Sequence, residues 1–360
     1  MSLPAKCLAF RRCFKQLRSK GGRKLKKKGY WLVFLVLTLC LLTSPAMAQK
    51  HYLNMGSTSS TSGVYAWCVA TANVINKSQN DIQVTVIESG AALDNLRKIK
   101  AGVFDFALCV DLPSAFQMVR GMDTFQKEKW EDVRWLFTRN ITADRLYVRK
   151  DSGVTTFKEL KGKKFCPGIP GSASADYIFK FNDLLKADIK LMPAAIGDAV
   201  DAMKNGAIIG LSKTSPLDSL DAAMIEVNLT LPITVIGYSE DDVAKIRERY
   251  PYMIFLETPK GKIKQLPEVG PIMEECAIVG AVASTRLPEE LGYKIVKAYV
   301  ENLEEVASAY PAIKGWDPVA DFFKNVPPGG EIYAHAGLIR YAQERGIEVP
   351  ERFIPPEYKK

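Results

Sequence analysis

Histidine is almost missing from this chain: His51 and His335 are the only two in 360 residues. A Ser/His/Asp triad or an imidazole metal site would have to rest on them, and His51 lies beside the expected start of the mature protein. The commonest hydrolase and metalloenzyme chemistries are therefore disfavoured. No Cys-x-x-Cys occurs. Cys68, Cys109, Cys166 and Cys276 are far apart, which argues against a structural zinc site or a redox motif. Cys109 and Cys166 sit in apolar runs and are expected to be buried free thiols. The phosphate-binding pattern GxxxxGK[ST] is absent, and no internal repeat is evident. No cofactor and no metal are expected. After residue 48 no apolar run is long enough to span a membrane.

Acidic residues are missing from the first 28 positions, which hold eleven Lys and Arg. The apolar run Trp31–Leu42 follows. Its 12 residues fall short of the ~20 that a spanning helix needs. Ser44-Pro45-Ala46-Met47-Ala48 then supplies a small-x-small site. This order predicts a secretory signal peptide, residues 1–48, cleaved after Ala48, and a periplasmic mature protein. An uncleaved anchor is the alternative; Leu39 before Cys40 is too large for a lipobox. The formal charge of +9 less these eleven positives leaves −2. No basic stripe remains for nucleic acid, so that partner class drops out.

The 312 residues left suit two domains. Short β-branched runs alternate with helical periods, the pattern of α/β layers. Strands are predicted over 52–55, 82–87 and 104–110, with helices over 64–76 and 91–100 between them: a parallel βαβαβ unit. A second βα-rich stretch starts near Leu146. It carries a Thr156/Glu159 capping box, strands over 163–167, 189–192 and 208–211, and helices ending near Lys186 and Lys204. An apolar strand over 277–284, a long helix over 289–309 and a last helix over 337–345 complete the reading. Two lobes result, with the chain crossing twice at a hinge. Lobe I begins over 49–143, lobe II spans 144–254, and 255–360 returns to lobe I with the C-terminal helices.

Two polar loops open helices after strands. Gly56-Ser57-Thr58-Ser59-Ser60-Thr61-Ser62-Gly63 offers six hydroxyls and free amides at a helix N-terminus, an anion site in kind; a capped flexible linker would read the same. Gly168–Ser174 repeats the device in the other lobe, with Gly171, Ser172, Ala173 and Ser174 at its helix start. Two such loops facing one crevice are the layout of a carboxylate clamp, since ligands in open α/β sheets bind beyond the strand ends. Ser89 and Gly90 form a third helix-opening loop. Asp111, at a strand end, either holds a ligand ammonium or caps a helix. Lys213 either pairs a carboxylate or is a solvated loop lysine. Arg139 and Arg145, near the crossover, are candidates for bidentate carboxylate contacts or surface positions. Tyr65 and Trp67 wall the pocket or belong to the core. Glu88 and Glu274 are too isolated for a glycosidase pair.

These segments together resemble a known family. Gly56–Tyr65, Glu88-Ser89-Gly90-Ala91 with Asp94-Asn95-Leu96, Val148–Val154 and Leu160–Lys164 come first. Pro170–Ser174, Asp198–Ala202, Tyr250-Pro251-Tyr252 and His335-Ala336-Gly337 follow in order. The chain is similar to the TAXI-type solute receptors, the TRAP-associated extracytoplasmic immunogenic proteins. The first box is richer in Ser than usual, Val64 stands where many members have Tyr, and Cys109-Val110-Asp111 replaces more usual polar residues. The resemblance implies a two-lobed periplasmic binding protein, type II-like, each lobe a mixed sheet flanked by helices. It implies a non-enzymatic, monomeric receptor for glutamate, 2-oxoglutarate or a similar C4–C6 acid, serving the membrane subunits of a TRAP transporter. The box from Ser57 to Tyr65, Ser89-Gly90 and Gly171–Ser174 would then line the cleft. The rivals are an exported hydrolase using a loop serine, a sensory module and an ABC-type receptor. Turnover would mark the first, and the membrane partner would separate the other two.

Overall fold

The computed structural model describes residues 50–326 and 329–358. The expected signal segment lies outside the described residues. Among those described, no helix is long and apolar enough to cross a membrane.

The chain opens with β1 (His51–Gly56), α1 (Tyr65–Ser78), β2 (Ile82–Ile87), α2 (Ala92–Lys100) and β3 (Phe106–Asp111). Both β2 and β3 pair with β1 in parallel. This is the βαβαβ unit expected, and β2 keeps the bounds its alternation suggested. Ile82 and Val84 face inward while Thr85 is exposed, the period-2 signature of a strand with one buried face. Asp111 caps α3 (Leu112–Arg120), accepting from the Ser114 amide, and Gly121 closes that helix in the left-handed conformation.

Then follow β4 (Val133–Arg149), β5 (Lys164–Cys166), α4 (Ala173–Leu184), β6 (Lys190–Leu191), α5 (Ile196–Lys204) and β7 (Gly210–Pro216). After them come α6 (Ala222–Thr230), β8 (Ile233–Ile236), α7 (Glu240–Arg249), β9 (Ile254–Thr258) and β10 (Ile272–Ser284). The last helices are α8 (Glu289–Glu301), α9 (Leu303–Ala309), α10 (Ala320–Asn325) and α11 (Ala336–Glu344). The strands form one curled sheet in the order β2-β1-β3-β10-β4-β7-β5-β6, with β8 paired to β4 and β9 to β10.

β4 and β10 organise the molecule. They run antiparallel, and each passes from one core into another. Trp135 and Phe137 of β4 and Ile278 and Ala281 of β10 belong to a core built from both ends of the chain. Leu146 and Val148 of β4 belong to a second core, and Tyr147 to a third. These two cores draw on the middle of the chain. Residues 255–272, assigned from sequence to the returning lobe, pack there through Phe255, Ile263 and Leu266. The α/β architecture with two helix-flanked lobes is thus present.

Two expectations about elements are corrected. β4 begins at Val133, well ahead of the second βα-rich stretch expected from Leu146. Its first part is buried on both faces and carries arginines, so it lacks the alternation by which half-buried strands are found. The helix expected over 289–309 is two helices. Asn302 leaves helical geometry (φ −115°, ψ 25°), and its side chain donates to the Ala298 carbonyl and to Ser78, a local competition that ends helices.

Candidate functional site

Two irregularities in the central strands shape the site. Across the β4–β10 ladder Val279 faces Asn140 while Gly280 faces Thr138, so Arg139 is an extra residue on β4. Across β3–β10, Gly280 faces Val110 but Val282 faces Ala107, and Cys109 in the intervening bulge adopts φ +58°. Bulges turn side chains out of the regular alternation. Here Arg139 and Cys109 both reach a cavity of about 570 Å³, partly open to solvent. Ala91, another non-glycine residue at positive φ (+66°), lines it too. Strained backbone at a concave site is the pattern of a functional constraint.

Both lobes build the walls. β3, β4, β7 and β10 contribute Asp111, Asp144, Lys213, Thr214 and Glu275. The beginnings of α1, α2 and α4 contribute Thr58, Ser62, Ala92, Ser172 and Ser174. A second chamber of about 530 Å³ shares Thr58, Ser62, Ser172, Ser174 and Lys213 and reaches Ser59, Cys166 and Ile196. The Ser-rich loops of the two lobes therefore face one space. The amides of Ala173 and Ser174, at the start of α4, have no acceptor among the described residues, so that helix end presents donors to the cavity.

The cationic end is Arg139 and Lys213. Arg139 is 1% exposed. Its guanidinium lies 5.2 Å from the Trp67 ring and 5.6 Å from the Tyr310 ring. Its Nε donates to Asn140, and Nη2 is buried with no acceptor. No carboxylate pairs with it among the described residues. Lys213 donates to the Ser62 hydroxyl at 3.0 Å and lies 3.8 Å from Asp221.

The acidic end is Asp111, Asp144 and Glu275. Asp111 Oδ1 accepts from the Tyr177 hydroxyl at 2.6 Å and from the Ser114 amide, while Oδ2 is buried and unpaired. Asp144 Oδ1 accepts from Ser174 and Thr214. Glu275 is 2% exposed, with Oε1 unpaired. Burial raises all three above the usual carboxylate range. Repulsion from the neighbouring Asp144 and Asp111 carboxylates lifts Glu275 further.

The remaining candidates, Ala173 apart, fall outside the cavity wall. Ser57 is sealed, donating to the Ile87 carbonyl, and Ser89 donates to the Ser57 carbonyl. Ser60 and Thr61 are exposed; the Ser60 amide donates to Glu88. Tyr65 is half-buried at the start of α1, and Trp67 is core, donating to Tyr299. Gly90 and Gly171 meet each other instead. The Gly171 carbonyl accepts from the Leu93 and Asp94 amides at 3.0 and 3.3 Å. A Cβ on Gly90 would lie 2.6 Å from the Pro170 carbonyl oxygen. Ala173 lines the cavity beside its neighbours.

Neither arginine is on the surface. Arg145 is fully buried and gives two hydrogen bonds to Glu274, which explains that glutamate without catalysis. His335 is buried, its Nδ1 accepting from the Gly337 amide and Nε2 bonding the Leu287 carbonyl. Burial lowers its pKa to about 4. It does not line the cavity. The four described cysteines are free. Cys109 is half-buried rather than buried, and its Sγ lies 3.5 Å from that of Cys68. Sequence reasoning missed Asp144, Tyr177 and Glu275. Each sits mid-strand or mid-helix, where no turn or motif marks it.

A family model described as the NMT1-like family matches residues 55–346, from the end of β1 past α11. The chain belongs to the NMT1-like family. Solved structures similar to this NMT1-like protein include XAC2383 from Xanthomonas citri bound to chloride, 8% identical, covering 81% of this chain and 99% of that one, with a TM-score of 0.46. The alkanesulfonate-binding protein SsuA from Xanthomonas axonopodis pv. citri, bound to MOPS, is 14% identical, with coverages of 83% and 92% and a TM-score of 0.44. The GluR0 ligand-binding core from Nostoc punctiforme, in complex with L-glutamate, is 12% identical, with coverages of 73% and 99% and a TM-score of 0.42.

Proposed function

We propose that this NMT1-like chain is an exported solute receptor of the TAXI type. It captures a small carboxylate between its lobes and hands it to the membrane subunits of a TRAP-type transporter. The observation that carries the reading is Arg139: a fully buried guanidinium, held between two aromatic rings, with an unused N–H in a cavity lined by both lobes. A buried cation without a carboxylate is costly, and a bound anion supplies the missing partner. Lys213, the amides opening α4 and the hydroxyls of Thr58 and Ser62 complete the donor set.

The receptor performs no chemistry of its own. Closure of the lobes about β4 and β10 brings the donors together and expels water, so the closed form binds the solute more tightly. The ordered motifs from Gly56–Tyr65 to His335-Ala336-Gly337 support the TAXI assignment. The position of His335, away from both Ser-rich loops, leaves those serines without an imidazole base.

A thermal-shift panel of C4–C6 organic acids and amino acids tests the reading. At least one raises the melting temperature by mass action. Arg139→Met weakens that ligand about a hundredfold, the loss of a charge-assisted bidentate contact. A panel without any shift overturns the proposal.

A further inference from the structure

The same cavity holds more carboxyl groups than a carboxylate receptor needs. Asp111, Asp144 and Glu275 all line it, and none has a cation within ion-pairing distance among the described residues. Lys213 is engaged by Ser62 and Asp221. Glu275 Oε1 and Asp111 Oδ2 are buried acceptors with no donor among the described residues. Buried carboxylates are ordinarily paired. Glu274, the next residue on β10, is paired with Arg145. The unpaired acids are thus a property of this cavity, not of the sheet. No group of three His, Cys, Asp or Glu among the described residues is arranged to hold a metal ion, so the cluster suits an organic cation.

We infer that the solute is an amino acid zwitterion: its ammonium sits among Glu275, Asp111 and Asp144, and its carboxylate lies on Arg139 and Lys213. The inference rests on the carboxylate reading above and narrows it. A dicarboxylate without an amine would bring further negative charge to three buried acids. An ammonium has three N–H donors and meets the two unpaired oxygens directly. Tyr177 supports this end from α4, because its hydroxyl holds Asp111 Oδ1 and leaves Oδ2 free.

The test compares matched probes on the full mature protein by calorimetry. These are the standard L-amino acids, the 2-oxo acids of glutamate, aspartate, leucine and alanine, and simple alkyl amines with the same side chains. The expected result is that an amino acid binds and its 2-oxo acid binds about ten- to a hundredfold more weakly, the worth of a charge-assisted hydrogen bond. Glu275→Gln and, separately, Asp111→Asn narrow that gap. A 2-oxo acid binding as tightly as its amino acid overturns the ammonium site and leaves the carboxylate reading standing. An amine binding as tightly as the amino acid overturns both, as does the absence of binding by any probe.

Discussion

Two acid–base sets share the crossing strands, and they behave differently. Arg145 of β4 and Glu274 of β10 are fully buried and bound to each other; Thr258 and the Leu217 and Ser219 carbonyls use the rest of their capacity. Arg139, six residues back on β4, and Glu275, one residue on along β10, are equally buried and have no ionic partner among the described residues. The first set is a finished structural joint. The second leaves polar atoms unspent, which a folded chain tolerates where something else arrives to use them.

The largest test of that contrast swaps the arginines. Arg145→Met strands Glu274 in the interior and should cost about 3–5 kcal/mol of stability. Arg139→Met strands no carboxylate and should stay within about 1 kcal/mol of the parent, while losing solute affinity. Urea denaturation measures both; equal losses would erase the distinction.

A smaller effect concerns His335, another fully satisfied buried group. Its pKa is lowered from the ordinary 6.5 to about 4. The unfolded chain therefore takes up the proton first as pH falls. The stability it contributes is full above pH ~6.5 and is lost between there and ~4, about a tenfold change in the folding equilibrium per pH unit. The Leu287 carbonyl, the Gly337 amide, Arg134 and Glu357 surround it. His335→Gln should flatten that slope in denaturation curves collected across the window.

The smallest effect belongs to Glu275. Its raised pKa means that the folded, ligand-free protein holds a proton more firmly than the unfolded chain. Stability is full below the ordinary carboxylate value near 4.3 and falls as pH rises through the folded value. Asp144, Asp111, Tyr177 and Tyr238 face it and share the penalty. Glu275→Gln should raise the ligand-free stability at neutral pH by about 1 kcal/mol. A lower melting temperature would mean that Glu275 is a structural residue like its neighbour.

How much of this was readable in advance follows from what each element depends on. β2, α1 and α2 show their identity in local alternation and stop signals, and the Ser-rich loops show theirs in composition at helix starts. Arg139 and Arg145 cannot be told apart from sequence, because the difference is what lies across the ladder. The bulges at Arg139 and Cys109 leave no compositional trace, since any residue can be the extra one. Glu274 and Glu275 are adjacent and chemically identical; only the two-residue period of a strand whose partners are known separates their roles.

The contact between Gly171 and α2 is made of peptide groups: one carbonyl oxygen spanning the amides of Leu93 and Asp94. Such a clasp is indifferent to which side chains its neighbours carry, provided that Gly90 stays bare and Gly171 keeps its φ of +86°. Substitutions among the surrounding hydroxyls and charges therefore leave this clasp between the loop and α2 intact.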